Sequence, residues 1–211
     1  MFSQDRDLVI FEPALLRDVA WAGQRRLSTI ASISSTTLTL DSGSFTDAQI
    51  QPGHTALFDA ITLEIISIDS PTTATVSLMR ADLTSQTVPP VSAESRGLTI
   101  HDFSPQRAVV HAQILAMLAL DPAGESAFGI DESAITNPNA LRRLETLGTL
   151  AMIYAGAAPP GSNNDRFTHR ADMYRSRFMR ERESVIVALD TDADGIAETT
   201  RRPNMASLQR G

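Results

Sequence analysis

Residues 190–198 place three aspartates at alternate positions immediately before a glycine. A calcium loop of the EF-hand type needs oxygen ligands at positions one, three and five, glycine at six, a backbone carbonyl at seven and a bidentate glutamate at twelve. The residues that fit the first half are Asp190, Asp192, Asp194, Gly195 and Ile196. Position twelve is Arg201, which repels a cation, whereas Glu198 at position nine offers a substitute carboxylate. The spacing is therefore a half-matched calcium site.

The same loop has a second interpretation that needs no metal ion. Three neighbouring carboxylates repel one another unless a cation or an arginine neutralises them. Arg201 and Arg202 follow the loop and could pair with it across a hairpin. The sequence favours a solvated acidic turn, paired with these arginines, over ion binding, and calcium is the only cofactor that it suggests.

Arginines are concentrated between residues 166 and 183. They are Arg166, Arg170, Arg175, Arg177, Arg180 and Arg182. Acidic residues are interspersed with them, so a solvated helix face with pairs four residues apart is one expectation. The other is an interface with an acidic neighbouring subunit, because arginine makes bidentate, directional contacts with carboxylates.

Motifs for enzymatic catalysis are absent from the chain. The four histidines, His54, His101, His111 and His169, show no metal-binding spacing, and His111 is expected to be a core or interface histidine. There is no nucleophile elbow, dinucleotide-binding glycine motif or Walker-type loop. The chain has no cysteine, and all 18 basic residues are arginine, which excludes thiolate and lysine chemistry. We therefore expect a protein that is not an enzyme.

The charge and hydropathy of the 211 residues limit the classes of partner. A net charge of −7 argues against ordinary nucleic-acid binding, which depends on neutralising phosphates. It is compatible with a surface along which DNA slides without sticking. The longest apolar stretches are shorter than the roughly 20 residues of a membrane helix, and the N-terminus does not resemble a signal peptide. We expect a soluble protein made in the cytoplasm, with no membrane partner.

The periodicity of apolar residues predicts an α+β fold in three parts. Helical spacing at 12–31 and again across 104–183 predicts an antiparallel helical bundle built from residues 1–31 plus 104–183. Short alternating segments punctuated by turns predict a β-rich insertion at 32–103, forming a small barrel or curled sheet. Residues 184–211 are predicted to form an extended or β-hairpin arm that docks onto a partner.

The predicted arm has two candidate strands on either side of the acidic loop. Its apolar run after the last helix and its arginine-rich end contain few residues that could build a core of their own. A free strand offers backbone hydrogen bonds and alternate side chains to a partner. The predicted partner-binding residues are Val185, Val187, Leu189, Arg201, Arg202, Met205 and Leu208.

This layout resembles the head-to-tail connector, or neck adaptor, proteins of tailed bacteriophages. The similarity rests on a short helical scaffold with a β insertion, on the start of a helix hairpin at residues 136–145 (TNPNALRRLE), and on the ending at residues 189–202 (LDTDADGIAETTRR). It implies a homo-oligomeric ring, commonly twelve-fold, between the portal protein and a tail or stopper protein. It also implies an acidic channel for DNA, a place at the neck of the virion and assembly in the host cytoplasm.

Two other functions are compatible with the same residues. The loop at 190–198 could make the chain a calcium-dependent binding module. The layout also fits another completion protein of a phage tail or neck, because adaptors, stoppers and tail-completion proteins overlap in composition.

Overall fold

The computed structural model describes residues 1–121, 130–158 and 165–203, and it divides the chain into two compact units. One unit comprises Gln4–Ser104. The other comprises Met1–Ser3 together with Pro105–Gly211. The chain is therefore a mixed α and β protein in which the first three residues belong to the unit formed by the second half of the sequence.

The unit of residues 4–104 is a closed antiparallel β-barrel preceded by two short helices. The helices are α1 (Asp5–Phe11) and α2 (Leu15–Val19), followed by a 3-10 turn at Ala20–Ala22. The strands are β1 (Gln24–Ser34), β2 (Thr37–Leu40), β3 (Thr55–Phe58), β4 (Ile61–Ile68), β5 (Thr73–Leu78) and β6 (Ala93–Asp102). Their order is β1-β2-β5-β4-β3-β6, and pairing of β6 with β1 closes the barrel. Closure leaves no strand edge unpaired in this sheet.

Alternation of apolar residues explains why these segments form strands. In β2, Leu38 and Leu40 are buried while Thr37 and Thr39, which alternate with them, face solvent. Leu63 and Ile65 of β4 likewise point into the barrel interior. Successive side chains of a strand point to opposite faces, so period-two apolar residues from all six strands meet in one core. The predicted small β-barrel is confirmed; its six strands close the sheet, and the first of them begins at Gln24, before the predicted boundary at 32.

The predicted helix at 12–31 is wrong over its second half. Residues 24–31 form the first part of β1, which pairs with β2 on one side and β6 on the other. The helical prediction rested on Leu27 and Ile30, which are three residues apart. The alternating burial of Ala31 and Ile33 shows that the segment follows the two-residue period of a strand instead. Residues 4–31 consequently belong to the barrel unit rather than to a helical scaffold.

Over its described residues, the second unit contains three helices and a small hairpin. These are α3 (Ser104–Met117), α4 (Asn139–Ala157) and α5 (Arg166–Ser184), with a 3-10 turn at Glu132–Ala134 and the strands β7 (Val187–Leu189) and β8 (Thr199–Arg201). Asp165 begins α5 by accepting a hydrogen bond from the N–H of Phe167 at 3.1 Å. The three long helices lie within the segments predicted from periodicity, and the C-terminal hairpin is confirmed.

Contacts between α4 and α5 run in opposite order along the two helices. Arg143 pairs with Glu181 at 3.1 Å, and the Tyr154 hydroxyl accepts a hydrogen bond from Arg170 at 2.8 Å. Between these contacts, a Cβ built on Gly148 would lie 3.0 Å from the Phe178 ring, so glycine permits the close approach. The two helices are therefore an antiparallel pair, whereas a bundle that includes the predicted helix at 12–31 does not form.

Candidate functional site

The acidic loop, defined as residues 190–198, joins β7 to β8. The ligand atoms of its four carboxylates, on Asp190, Asp192, Asp194 and Glu198, all lie within 4.8 Å of one another. Ala193 and Gly195 have φ values of 62° and 89°, which reverse the backbone and gather the side chains on one side. The structure thus brings together the four acidic residues that the sequence singled out.

Backbone N–H groups of the loop stabilise its carboxylates. Asp190 accepts hydrogen bonds from Gly195 at 2.8 Å and from Ala193 at 2.7 Å. These bonds, that from Gly195 foremost, lower the pKa of Asp190. Ile196, predicted as a backbone ligand, donates its N–H to Asp194 at 2.7 Å. The carboxylates are therefore held in place while their remaining lone pairs face solvent.

Arg201 and Arg202 do not neutralise the acidic loop. Arg201 donates to the backbone carbonyls of Leu118 at 2.7 Å and Ala119 at 2.9 Å, just beyond the end of α3. A cation there interacts favourably with the carbonyls and the helix dipole. Arg202 lies 3.4 Å from the carbonyl of Glu183. The predicted pairing of these arginines across the hairpin is wrong, because both side chains bind helix-end carbonyls.

The first strand of the predicted docking arm is part of the core of its own unit. Val185, Val187 and Leu189 are 7%, 0% and 0% exposed, and they pack with residues of α3 and α4. The backbone of β7 is also bonded: Thr136 donates its N–H to the Ala188 carbonyl at 3.0 Å. These three residues therefore cannot contact a partner, contrary to the prediction. Met205 and Leu208, which belong to the same prediction, lie outside the described residues.

The arginines of α5 divide into paired and unpaired sets. Arg175 forms a salt bridge with Asp172 at 3.8 Å, the kind of pair expected for a solvated helix face. Arg166, Arg177 and Arg180 are exposed, and no carboxylate within the described ranges pairs with them. Arg166 and Arg177 instead lie over the rings of Phe167 and Tyr174, at 4.6 and 5.7 Å from the ring centroids.

Sequence reasoning missed a buried network centred on Glu145 in α4. This carboxylate is 0% exposed. It accepts hydrogen bonds from the backbone N–H groups of Phe2 and Ser3 at 3.0 and 3.1 Å and from the Ser3 hydroxyl at 2.7 Å. Arg107 donates to the Ser3 carbonyl at 2.6 Å. The N-terminal residues are therefore held by a buried charge, and the signal for this in the sequence was a glutamate on the apolar face of a helix.

His111 completes the network as a core histidine. Its Nδ1 lies 3.0 Å from Glu145 and its Nε2 3.0 Å from Glu132. Burial lowers the pKa of His111, but hydrogen bonds to the two carboxylates outweigh burial and raise it overall. Burial raises the pKa of Glu145, and its bonds from His111, Phe2 and Ser3 outweigh this and lower it. Both shifts favour an ion pair of imidazolium and carboxylate.

The barrel unit contains a second buried charge cluster. Glu64 of β4, 1% exposed, accepts hydrogen bonds from Arg6 at 2.7 Å and Arg80 at 2.8 Å. Burial raises the pKa of Glu64, yet the bonds from Arg80 and Arg6 outweigh it and lower the pKa. The buried carboxylate thus links two guanidinium groups, one from α1 and one from the segment after β5, to strand β4.

Three further potential metal ligands lie close together in the barrel unit. Ligand atoms of Asp5, His54 and Asp102 lie within 4.8 Å of one another. Asp102 already accepts hydrogen bonds from Arg26 at 2.9 Å and from the Ser104 N–H at 2.7 Å. Since its oxygens are occupied by these donors, the group is better explained as a structural cluster. Spacing along the sequence could not reveal it, because its members are nearly 50 positions apart.

The remaining observations concern relatives and membranes. No protein-family model, curated protein or solved structure matches this chain. Among the helices that the structure describes, none combines the length and the apolar character that crossing a membrane requires.

Proposed function

We propose that this chain is a structural subunit of a ring at the head-to-tail junction of a tailed bacteriophage, bound to the portal protein on one side and to a tail or stopper protein on the other. The observation that carries the proposal is the architecture: a closed β-barrel, an antiparallel helix pair after it and a hairpin that follows the last helix. The helix pair, which begins within residues 136–145, and the hairpin, which lies within residues 187–201, are two of the features on which the resemblance to neck adaptors rests. The role is structural rather than enzymatic, and the protein is placed at the virion neck after assembly in the host cytoplasm.

Passage of DNA through such a ring requires a surface that does not retain phosphates. The net charge of −7 gives the subunit an overall negative potential. Binding to DNA depends on cations that release counterions from the phosphates. An acidic channel lined by repeated copies would therefore let DNA slide, and no sequence-specific binding is proposed.

The segment that binds the portal must be shorter than the predicted arm at 184–211. Because β7 is buried in the helical unit, the residues proposed to reach a partner are those after Pro203, including Met205 and Leu208. Deleting 185–211 would remove core side chains and unfold the unit. Deleting only 204–211 keeps β7, β8 and the Arg201 contacts with the end of α3.

Co-expression with the portal protein of the same phage tests the proposed function. We expect the full chain to co-purify with the portal as a ring that is visible by negative-stain electron microscopy. The chain that ends at Pro203 should keep the circular dichroism spectrum and melting temperature of the full chain and lose portal binding. If the full chain never joins the portal, the proposed function is wrong; if the shortened chain still joins it, only the assignment of the binding segment is wrong.

The clustering of the acidic loop favours calcium binding as a second candidate function. Four carboxylates within 4.8 Å suit a hard divalent cation, and Arg201 points away from them. Titration calorimetry with millimolar calcium should give heat with the full chain and none with the Asp192→Asn/Asp194→Asn variant. No heat and no change in melting temperature with the full chain would exclude a calcium-dependent binding module.

A further inference from the structure

An arginine pair on α5 offers two exposed cations one helical turn apart. Arg177 and Arg180 both face solvent, and within residues 1–121, 130–158 and 165–203 neither pairs with a carboxylate. A separation of three residues along a helix places them about 5 Å apart along its axis. Arg166 lies on the same side of the helix, but about 16 Å away. The pair is therefore a compact cationic surface in a protein whose net charge is negative.

The acidic loop of the same unit matches this surface in size and sign. Its carboxylate oxygens gather within 4.8 Å, comparable to the spacing of the arginine pair. Guanidinium groups bind carboxylates through directional, charge-assisted hydrogen bonds. Two such surfaces on one chain are complementary.

The two surfaces cannot meet within one molecule. The acidic loop follows β7, whose Val187 and Leu189 are 0% exposed. Leu189 is also bridged to Ile135, and Arg202 reaches the carbonyl of Glu183 at the end of α5. The hairpin is thereby anchored, so the loop cannot swing back onto the helix that precedes it. Arg177 lies over the ring of Tyr174, so what the arginine pair lacks within the described residues is a carboxylate partner, which a second molecule can supply.

We propose that the arginine pair, Arg177 and Arg180, binds the acidic loop of a second copy of this chain. The inference rests on the proposed function and names the contact between neighbouring subunits of the ring. Because the two surfaces differ, the contact is head-to-tail, and a repeated head-to-tail contact closes into a ring when its rotation permits. It also leaves one unoccupied surface at each end of an incomplete assembly.

Variants with reversed charges on the arginine pair or on the acidic loop test the contact in the absence of the portal protein. One variant carries Arg177→Glu/Arg180→Glu, and the other carries Asp192→Arg/Asp194→Arg. Each should self-associate at least about tenfold more weakly than the original chain, equivalent to about 1.4 kcal/mol. The variant with all four changes should regain association, as should an equimolar mixture of the two single-surface variants, because opposite charges then face each other again.

Sedimentation velocity measures association at two salt concentrations. Association of the original chain should be stronger at an ionic strength of about 0.01 M, where the Debye length is roughly 30 Å, than at about 0.15 M, where it is roughly 8 Å. Arg166→Glu is the matched control and should behave as the original chain. All changes are at solvent-facing positions, so circular dichroism should report an unchanged fold.

The outcomes separate this contact from the proposed function. A monomeric original chain at low salt, single-surface variants that associate normally, or a four-change variant that fails to recover would each overturn the contact. If the original chain joins the portal while charge reversal has no effect, the contact alone is wrong. If the charge exchange behaves as expected and the portal is never bound, the function alone is wrong.

Discussion

Replacing Glu145 by alanine removes the acceptor that holds residues 2 and 3. The carboxylate is fully buried and accepts from Phe2, Ser3 and His111. The substitution leaves two backbone N–H groups and a protonated imidazole without their buried acceptor. Breaking a buried ion pair by removing one partner costs about 3–5 kcal/mol, a large fraction of the roughly 5–15 kcal/mol stability of a domain. Glu145→Gln keeps the shape and loses the charge, so we expect a smaller loss of about 1.5–3 kcal/mol.

Urea unfolding followed by two probes measures this loss. Circular dichroism at the helical band reports chiefly on α3, α4 and α5, whereas Trp21 fluorescence reports on the barrel unit. The helical midpoint should fall in both variants, and the tryptophan transition should fall less. Hydrogen exchange at the amides of Phe2 and Ser3 should accelerate. A Glu145→Ala protein with an unchanged helical midpoint and unchanged exchange would refute the reasoning.

The same network predicts a defined dependence of stability on pH. The raised pKa of His111 means that its contribution is complete below about 6.5 and is lost as pH rises through the folded-state pKa. The lowered pKa of Glu145 means that its contribution is present above about 4.5 and is lost as pH falls through the folded-state pKa. Stability of the helical unit should therefore be greatest between these limits, and Glu145→Gln should flatten the profile.

Four further substitutions test packing, capping and the barrel cluster. Gly148→Ala places a methyl group 3.0 Å from Phe178 and should destabilise the helical unit by about 1–3 kcal/mol. Gly156→Ala has open space around its Cβ and should stabilise the same unit by about 0.5–1 kcal/mol. Comparing the melting temperatures of the two variants with that of the original chain checks both values. Arg201→Ala should lower stability by about 1 kcal/mol through lost bonds to the end of α3, measured by urea unfolding; no loss would mean that these bonds contribute nothing. Glu64→Gln leaves two buried guanidinium groups without their counter-charge and should lower the stability of the barrel unit by about 3–5 kcal/mol. The Trp21 fluorescence transition should then occur at a lower urea concentration, and an unchanged transition would contradict this prediction.

Local sequence patterns predicted the elements whose burial repeats with a clear period. The strand at Thr37–Leu40 alternates strictly, and the helix at Asn139–Ala157 repeats apolar residues every three or four positions. The helix prediction for residues 24–31 was wrong because it rested on only two residues, Leu27 and Ile30, whose separation fits a helix. Pairing with two neighbouring strands, which are distant in sequence, decides its conformation.

Whether a candidate site could be predicted also depended on how far apart its residues lie along the sequence. The acidic loop was found because its ligands lie within nine consecutive residues and the turn residues between them are visible in the sequence. The Glu145 network was missed because its partners lie 34 and 142 positions away. Burial of Val187 and Leu189 was missed because a short apolar strand does not reveal whether its own chain or a partner covers it.

Anchoring of residues 2 and 3 to Glu145 has a consequence for how the chain is made. Ser3 is added to the growing chain 142 residues before its acceptor. At synthesis rates of about 5–20 residues per second, this delay is roughly 7–28 s. All six barrel strands are synthesised within that interval, and their barrel can close first. Residues 2 and 3 therefore reach their final contacts only after the barrel strands have been synthesised, and the helical unit is completed later than the barrel.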